Sequence, residues 1–413
     1  MWSYFFIWYN LVGEIMRLKI IIIVIFLFTP FIKALNTKSN NIILYNLNND
    51  EILYEKNSHE SIKIASLTKI MTGIIAIEEI DDLNKEVLIT DEMLDGLKEA
   101  NASVVGLNVN DIVSYRDLLY ALLLPSGGDA ANALAISISG SIENFVKLMN
   151  NKASSLGLNN TLFTNATGLD NGDNHSNVFD VATILRYALK NTEFKKIYET
   201  RKYTMANGME LIASIERSSK RLYLNVDYIK GSKTGSTSLA GVCLSSTFDY
   251  NDINYLMVNC DSSFKNATYN VLDAETLYNY YSNNYHLRNI LKKDKVIKAI
   301  NNKYSTNKVN LYPDTDYSLY MLDNDYENLK FTYDGLETID IYTRDKIIGK
   351  YEISLNNNVL KTIDVYKPNK IDFSIFKFVF VNYFYLLIIL IFSFLIFIIN
   401  LFLKKKKSFK TEI

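Results

Sequence analysis

Residues 378–403 form an almost unbroken apolar run, interrupted only by Asn382, Ser393, Asn400 and tyrosines. As a helix, a run of this length reaches about 39 Å, enough to cross a bilayer with some tilt. It has no polar face on which to lie along a membrane surface. Lys404 to Lys407 follow at once, and such a basic cluster stays on the cytoplasmic side. This feature constrains everything before it: residues 375–403 are expected to anchor the chain, 404–413 to form a basic cytoplasmic tail, and the body to lie outside. The other end agrees. Arg17 and Lys19 precede an apolar stretch from Ile20 to Phe28 that closes near Ala34. That is the pattern of a signal peptide over residues 1–34, with Met16 as a possible true start. An uncleaved anchor is the rival reading, but the run is short for a span.

Between the ends lies room for two domains with sizeable cores. A formal net charge of −1 argues against nucleic acid as a partner, which needs a basic footprint. There are three histidines (His59, His175, His286), two cysteines, and neither HExxH nor paired CxxC. Hence no metal and no other cofactor is expected. Cys243 and Cys260 sit symmetrically about a predicted turn at 251 and 252. They can be drawn facing each other as a disulfide, although two buried thiols are the commoner outcome.

The pattern predicts a hairpin in "NIILYNLNNDEILYEKN" with its turn at Asn48 to Asp50. Helices follow from Ser66, over Tyr115 to Ala135 with a break at Pro125, and over Ile142 to Leu156. "AGVCLSSTFDYNDINYLMVNC" reads as two strands, and Asp273 to Tyr285 as a closing helix. Strands at both ends with helices between them indicate an α+β domain on an antiparallel sheet, residues 35–285. Beyond it, "LKFTY", "TIDIYT", "KYEISL" and "LKTIDVY" alternate polar and apolar residues. They predict a small all-β domain over 286–372, a spacer or docking platform with no catalytic constellation.

The chemistry is concentrated in "KIASLTKIMTG" (63–73), where Lys69 interrupts an apolar helix face three residues after Ser66. Ser-x-x-Lys alone is weak, since it recurs at Ser262/Lys265, Ser305/Lys308 and Ser374/Lys377. This copy is distinguished by its apolar setting and by two later elements. "LLLPSGGDAANALA" puts Ser126 at a turn ahead of a helix, and "GSKTGSTSLAG" puts Lys233-Thr234-Gly235 on a predicted strand. A serine hydroxyl is inert until a base takes its proton. With no histidine nearby in sequence, Lys69 is the candidate base, tolerated in the core because burial and the like charge of Lys233 let it work deprotonated. The bland alternatives are a snorkelling Lys69, a helix-capping Ser126 and an edge-strand charge at Lys233.

These three motifs, with "NNTLFTNATGLD" (159–170), resemble the serine D-alanyl-D-alanine carboxypeptidases, the low-molecular-mass penicillin-binding proteins, over most of residues 40–285. The resemblance implies a β-lactamase/transpeptidase-like fold and a peptidoglycan stem peptide ending in D-Ala-D-Ala as substrate. It further implies β-lactams as covalent inhibitors. Ser66 would be the nucleophile, Lys69 the base, and Ser126 the relay to the leaving amine. Lys233, Thr234, Gly235 and Ser236 would bind the terminal carboxylate and strand backbone, with the N–H groups of Ser66 and Ser236 as oxyanion donors. Three departures stand out. Gly128 replaces the family's usual Asn, with Asn132 one turn on as a possible stand-in. "HSNVFD" is one residue short of the family pattern, so His175 receives no role. Tyr269 to Leu272 lacks the arginine that often precedes the aspartate matching Asp273. Two rivals remain. A β-lactamase would want an acidic loop residue, but the only glutamate between Gly168 and Tyr198 is Glu193, followed four residues later by Ile197. The other is a tethered penicillin- or wall-binding protein with little turnover.

Overall fold

The computed structural model describes residues 35–170, 172–263 and 269–408. The expected signal segment, 1–34, and the last residues of the basic tail lie outside the described residues. Contacts divide the chain into two compact units, up to Tyr280 and from Tyr281.

The first unit is built on one five-stranded sheet. Strands β1 (Asn41–Asn46) and β2 (Glu51–Lys56) form the N-terminal hairpin. Strands β3 (Gly231–Thr237), β4 (Gly241–Tyr250) and β5 (Ile253–Ser262) come from the far end of the unit. The order is β2-β1-β5-β4-β3, with every neighbour antiparallel. Closing the sheet therefore requires the two ends of the domain to meet, β1 beside β5. β1 is buried at every position rather than alternating, because both faces of the sheet are covered. Adjacent residues of one strand show this, since successive side chains point to opposite faces. Ser245 Oγ bonds Tyr198 Oη at 2.9 Å, while Ser246 Oγ bonds Tyr278 Oη at 2.9 Å. Tyr198 and Tyr278 sit on helices either side of the sheet.

The helices are α1 (Lys69–Glu79), α2 (Tyr115–Leu123), α3 (Gly128–Ser139), α4 (Ile142–Ser155), α5 (Val178–Ala188), α6 (Thr192–Tyr198), α7 (Ser214–Leu222) and α8 (Tyr269–Asn284). Their starts follow local chemistry: Ser114, Ser141 and Asn177 each cap a first turn by accepting a backbone N–H. α1 is the hub, touching α2, α3, α4, α5 and α6, and it is buried from Lys69 to Ala76. The predicted helix start at Ser66 is corrected: Ala65–Thr68 form a 3₁₀ turn and the α-helix begins at Lys69. Asp273, on α8, accepts from the backbone N–H groups of Lys38 and Ser39, both at 2.7 Å, fastening the start of the domain to its end. Cys243 and Cys260 are buried free thiols. The symmetrical pairing read from the turn holds up to Leu244 and Asn259, and a bulge between Val242 and Leu244 interrupts it at the cysteines.

The second unit holds small sheets around a core of Leu291, Ile300, Leu311, Ile348, Ile353 and Val365. It is not wholly β, since Asp323–Glu327 form a single helical turn. "TIDIYT" pairs only at Thr338–Ile339, because the Asp340 carboxylate captures Tyr342 N at 2.8 Å and turns the chain. The unit ends in helix α9 (Ile375–Ser408), interrupted at Tyr383. Its stretch Ile375–Leu403, 29 residues containing an 18-residue window of mean hydropathy 3.1, is long and apolar enough to cross a membrane.

Candidate active site

The 3₁₀ turn ahead of α1 brings the first two motif residues together. Lys69 Nζ donates to Ser66 Oγ at 2.9 Å and to the Thr167 carbonyl at 2.6 Å. Lys69 is 2 % exposed, whereas Ser66 is half-buried and faces a cleft. Burial pushes the Lys69 ammonium down to about 7, opposed in part by the negative charge of Asp129. Burial is the main cause for both lysines, and their mutual repulsion adds to it: Lys233 is driven well below its ordinary range first by burial and then by Lys69 and Arg217.

The second and third motifs meet each other as well. Lys233 Nζ donates to Ser126 Oγ and to the Thr234 carbonyl, both at 2.7 Å. Ser126 holds a left-handed backbone, φ +72°, an unfavourable conformation for a side-chain-bearing residue that clusters at functional sites. Thr234 shares a hydroxyl–hydroxyl bond with Ser214. β3 ends the sheet, and beside Gly235 the carrier turn comes so close that a Cβ there would lie 3.1 Å from Ser66 N. Thus two Ser–Lys pairs come together from three separated stretches: Ser66, Lys69 and Ser126 line one cavity system with Ser236, and Lys233 is buried against Ser126.

The stretch 159–170, which carries part of the family resemblance but no assigned role at the site, supplies the floor. Asn165 Oδ1 accepts from Thr167 N at 3.1 Å, Thr167 Oγ1 at 3.0 Å and Gly168 N at 2.7 Å. This wraps the chain so that the Thr167 carbonyl points at Lys69. Gly168, φ +80°, lies against Ala65. Asp170 then ties the loop to the β3–β4 connection through Thr237 Oγ1 at 2.8 Å. The signal that finds these residues is "NATGLD" itself: an Asx turn followed by a glycine.

Residues 30–263 match the family described as D-alanyl-D-alanine carboxypeptidase, Peptidase S11, which is more than half of the chain. The chain belongs to this family. It is 33% identical over 222 residues to D-alanyl-D-alanine carboxypeptidase DacF of Bacillus subtilis, covering 51% of this chain but only 54% of that one. It is 28% identical over 336 residues to DacD of Escherichia coli, covering 75% of this chain and 84% of that one. Among solved structures, penicillin binding protein 5 of Haemophilus influenzae superposes with a TM-score of 0.58 at 25% identity, over 80% of this chain and 96% of that one. The Streptomyces K15 DD-transpeptidase gives 0.54 at 28%, over 59% and 97%.

Within this S11 protein the Gly128 departure has a structural counterpart. Gly128 N donates to Ser103 O at 2.6 Å, and a Cβ would meet Ser103 O at 3.2 Å, Leu97 at 3.4 Å and Ala102 at 3.5 Å. The loop 95–107 therefore occupies the space that a side chain at 128 needs. It is pinned there by buried Asp129, which accepts from the N–H groups of Val105, Gly106 and Leu107 at 2.9–3.2 Å. Asn132, half-buried, lines the cleft of about 660 Å³ with Ser66 and Lys69. Gly128→Asn is accordingly expected to lower turnover, because the loop must retreat by a few tenths of an ångström. Asn132→Ala should lower it by about tenfold, the value of one hydrogen bond at a reacting centre. Steady-state kinetics on a D-Ala-D-Ala peptide check both, and a faster Gly128→Asn enzyme would contradict this reading. His175 lines a different cavity, with Lys63 and Asp173. Glu193 is engaged by Arg116 and does not line the cleft.

With Lys69 as the expected base, its shift predicts the pH behaviour: a base works only when unprotonated, so acylation should rise through about pH 7 and level off above it. At pH 6 only about one-tenth of Lys69 is neutral, and the rate should fall about tenfold from its plateau. Second-order rate constants for penicillin acylation between pH 5 and 9 test this. A flat profile would show that Lys69 is not the base.

Proposed function

We propose that this protein is a membrane-tethered serine carboxypeptidase that removes the terminal D-alanine from peptidoglycan stem peptides. The observation that carries the reading is the 2.9 Å bond from buried Lys69 to accessible Ser66. Ser66 Oγ attacks the carbonyl between the two D-alanines as Lys69 takes its proton. The oxyanion is received by the N–H groups of Ser66 and Ser236. Collapse breaks the peptide bond, and the proton that Lys69 took passes by way of the Ser126 hydroxyl, held by Lys233, to the departing D-alanine amine, leaving Lys69 neutral again. Water, activated by the same lysine, then cleaves the Ser66 ester and restores the hydroxyl. β-Lactams follow the first half of this path and stall as acyl-enzymes.

The test is to supply a pentapeptide ending in D-Ala-D-Ala and measure free D-alanine, then treat with benzylpenicillin and map the adduct by mass spectrometry. One D-alanine per peptide and an adduct on Ser66 are expected. An adduct without D-alanine release would favour the second reading, a low-turnover penicillin-binding protein, to which the covered position at Gly128 lends weight. The apolar helix Ile375–Leu403 anchors the body, about 35–374, on the extracytoplasmic side with its basic tail inside. External protease on wall-stripped cells should digest the body; full protection would reverse this topology.

A further inference from the structure

In the second unit the chain enters α9 through a cluster of aromatic rings. Buried Tyr304 packs edge-on against Phe378, ring centres 5.0 Å apart, with Phe373 at 6.0 Å and Tyr342 at 6.1 Å. Hydrogen bonds fix the same junction. Ser374 N donates to Tyr304 O at 2.8 Å, Asn302 Nδ2 to Asp372 O at 2.7 Å and Lys377 Nζ to Ser305 O at 2.6 Å. The start of α9 is therefore held on the β core rather than hung from a loose linker. Yet Tyr342 is 61 % exposed, Phe373 42 % and Ile341 40 %, so an apolar collar stands open where the helix leaves. The turn that carries it is braced: the Asp340 carboxylate accepts from Tyr342 N at 2.8 Å, and Lys367 Nζ donates to Thr343 O at 2.6 Å.

Helix geometry sets the level of this collar. Counting outward from Leu403, the residue before the lysines, about 20 helical residues cross about 30 Å of hydrocarbon and end near Tyr383, where α9 is interrupted. Phe378 stands at most about 8 Å further out, and the headgroup layer on each side is about 5–8 Å deep. Tyr342, whose ring centre is 6.4 Å from that of Phe378, thus lies at the depth where tyrosines anchor membrane proteins. The charge suits the same place. Residues 340–346 and 367–377 carry five cations and three carboxylates. Asp340 is used in the turn, Asp372 accepts from Asn307 Nδ2 at 2.8 Å, and only Asp345 stands exposed without such a bond among the described residues. Arg344, Lys346 and Lys370 are exposed and form no ion pair among the described residues. We propose that this collar docks on the bilayer that α9 crosses, with Tyr342 and Phe373 seated among the headgroups and Arg344, Lys346 and Lys370 on the phosphates of anionic phospholipid. This rests on the proposed membrane-spanning anchor, and it makes the second unit a membrane-docking platform rather than a spacer.

The experiment reconstitutes the full chain in phosphatidylcholine vesicles, with or without about one-third phosphatidylglycerol. Tyr342→Trp reports on the collar, and Phe392→Trp, near the middle of the apolar stretch, on the span. The parent chain, whose tryptophans are Trp2 and Trp8, gives the background. Lipids carrying a nitroxide on the headgroup or deep in the acyl chain serve as quenchers. The headgroup nitroxide is expected to dim Tyr342→Trp by about twofold or more in the anionic vesicles and clearly less in phosphatidylcholine alone. The deep nitroxide should act on Phe392→Trp and spare Tyr342→Trp. Adding Arg344→Glu and Lys346→Glu should erase the difference between the two lipids. If Tyr342→Trp is unquenched while Phe392→Trp is quenched by the deep nitroxide, the unit stands clear of the bilayer: docking is overturned and the anchor stays. Equal quenching of Tyr342→Trp in the two lipids would overturn the proposal too, since the cations would then contribute nothing. Phe392→Trp untouched by either nitroxide would remove the anchor and the docking together. If Tyr342→Trp does not fold, Ile341→Trp on the same turn carries the comparison with the same outcomes.

Discussion

Ser66→Ala is expected to abolish penicillin labelling and D-alanine release while leaving the thermal unfolding midpoint nearly unchanged. The hydroxyl is half-buried and its removal opens no large cavity, but among the described hydroxyls that line the cleft Ser66 is the one bonded to a lysine. Lys69→Met should be almost as inactive, by a factor on the order of 10⁴ or more, as when one member of a nucleophile–base unit is removed. Its effect on stability should run the other way. The ammonium titrates at about 7 in the folded protein and near 10.4 when unfolded. Between these values the unfolded chain holds a proton that the folded chain does not. Burial of Lys69 thus costs stability fully below about pH 7, and the cost is relieved as pH rises from 7 towards 10.4. Methionine fills similar space without a charge, so Lys69→Met should be at least as stable as wild type at pH 7. Its advantage should shrink by pH 9, as compared in paired melts. A variant that is inactive and also much less stable at pH 7 would indicate a structural lysine rather than a base held at a cost.

The second large effect is expected at Gly168. Its φ of +80° disfavours any side chain, and a Cβ would stand 2.0 Å from Ala65 O, 2.5 Å from Ala65 C and 2.9 Å from Thr68 Oγ1. The obstacle is the backbone of the turn that carries Ser66, so nothing flexible can yield. Gly168→Ala must therefore push apart the Thr167–Lys69 floor and the nucleophile's turn. A loss of about 2–4 kcal/mol of stability is expected from strain and overpacking together. kcat should fall about a hundredfold, since misplacement of about 1 Å at a reacting centre has that effect. Gly140 is the control, with φ +81° and open space around it. Gly140→Ala should cost about 1 kcal/mol for the backbone conformation alone and leave kcat unchanged. Equal kinetics for the two variants would show that the packing of Gly168 on Ala65 does not organise the site.

Much of this protein was legible from the residues because the signals were local. An apolar run of membrane-crossing length needs no partner to be recognised. A lysine on an apolar helix face three residues after a serine places the two side chains together by helical pitch alone, and the N-terminal hairpin follows from alternation and a polar turn. What only the tertiary structure decided depends on distances between segments far apart in the chain. β1 lies beside β5, so a strand that could have been half-exposed is buried on both sides. The Ser126–Lys233 bond joins residues more than a hundred positions apart, and Asn165 shapes a carbonyl for a lysine nearly as remote. Gly128 reads in sequence as a missing side chain, yet its surroundings are set by a loop that buried Asp129 draws over it. Arg217 carries no motif at all, and it lines a cavity with Ser66 because α7 packs next to the edge strand. Local chemistry could pair Ser66 with Lys69, because backbone pitch sets their separation. The rest of the pocket is made by long-range packing, which no short stretch of sequence encodes.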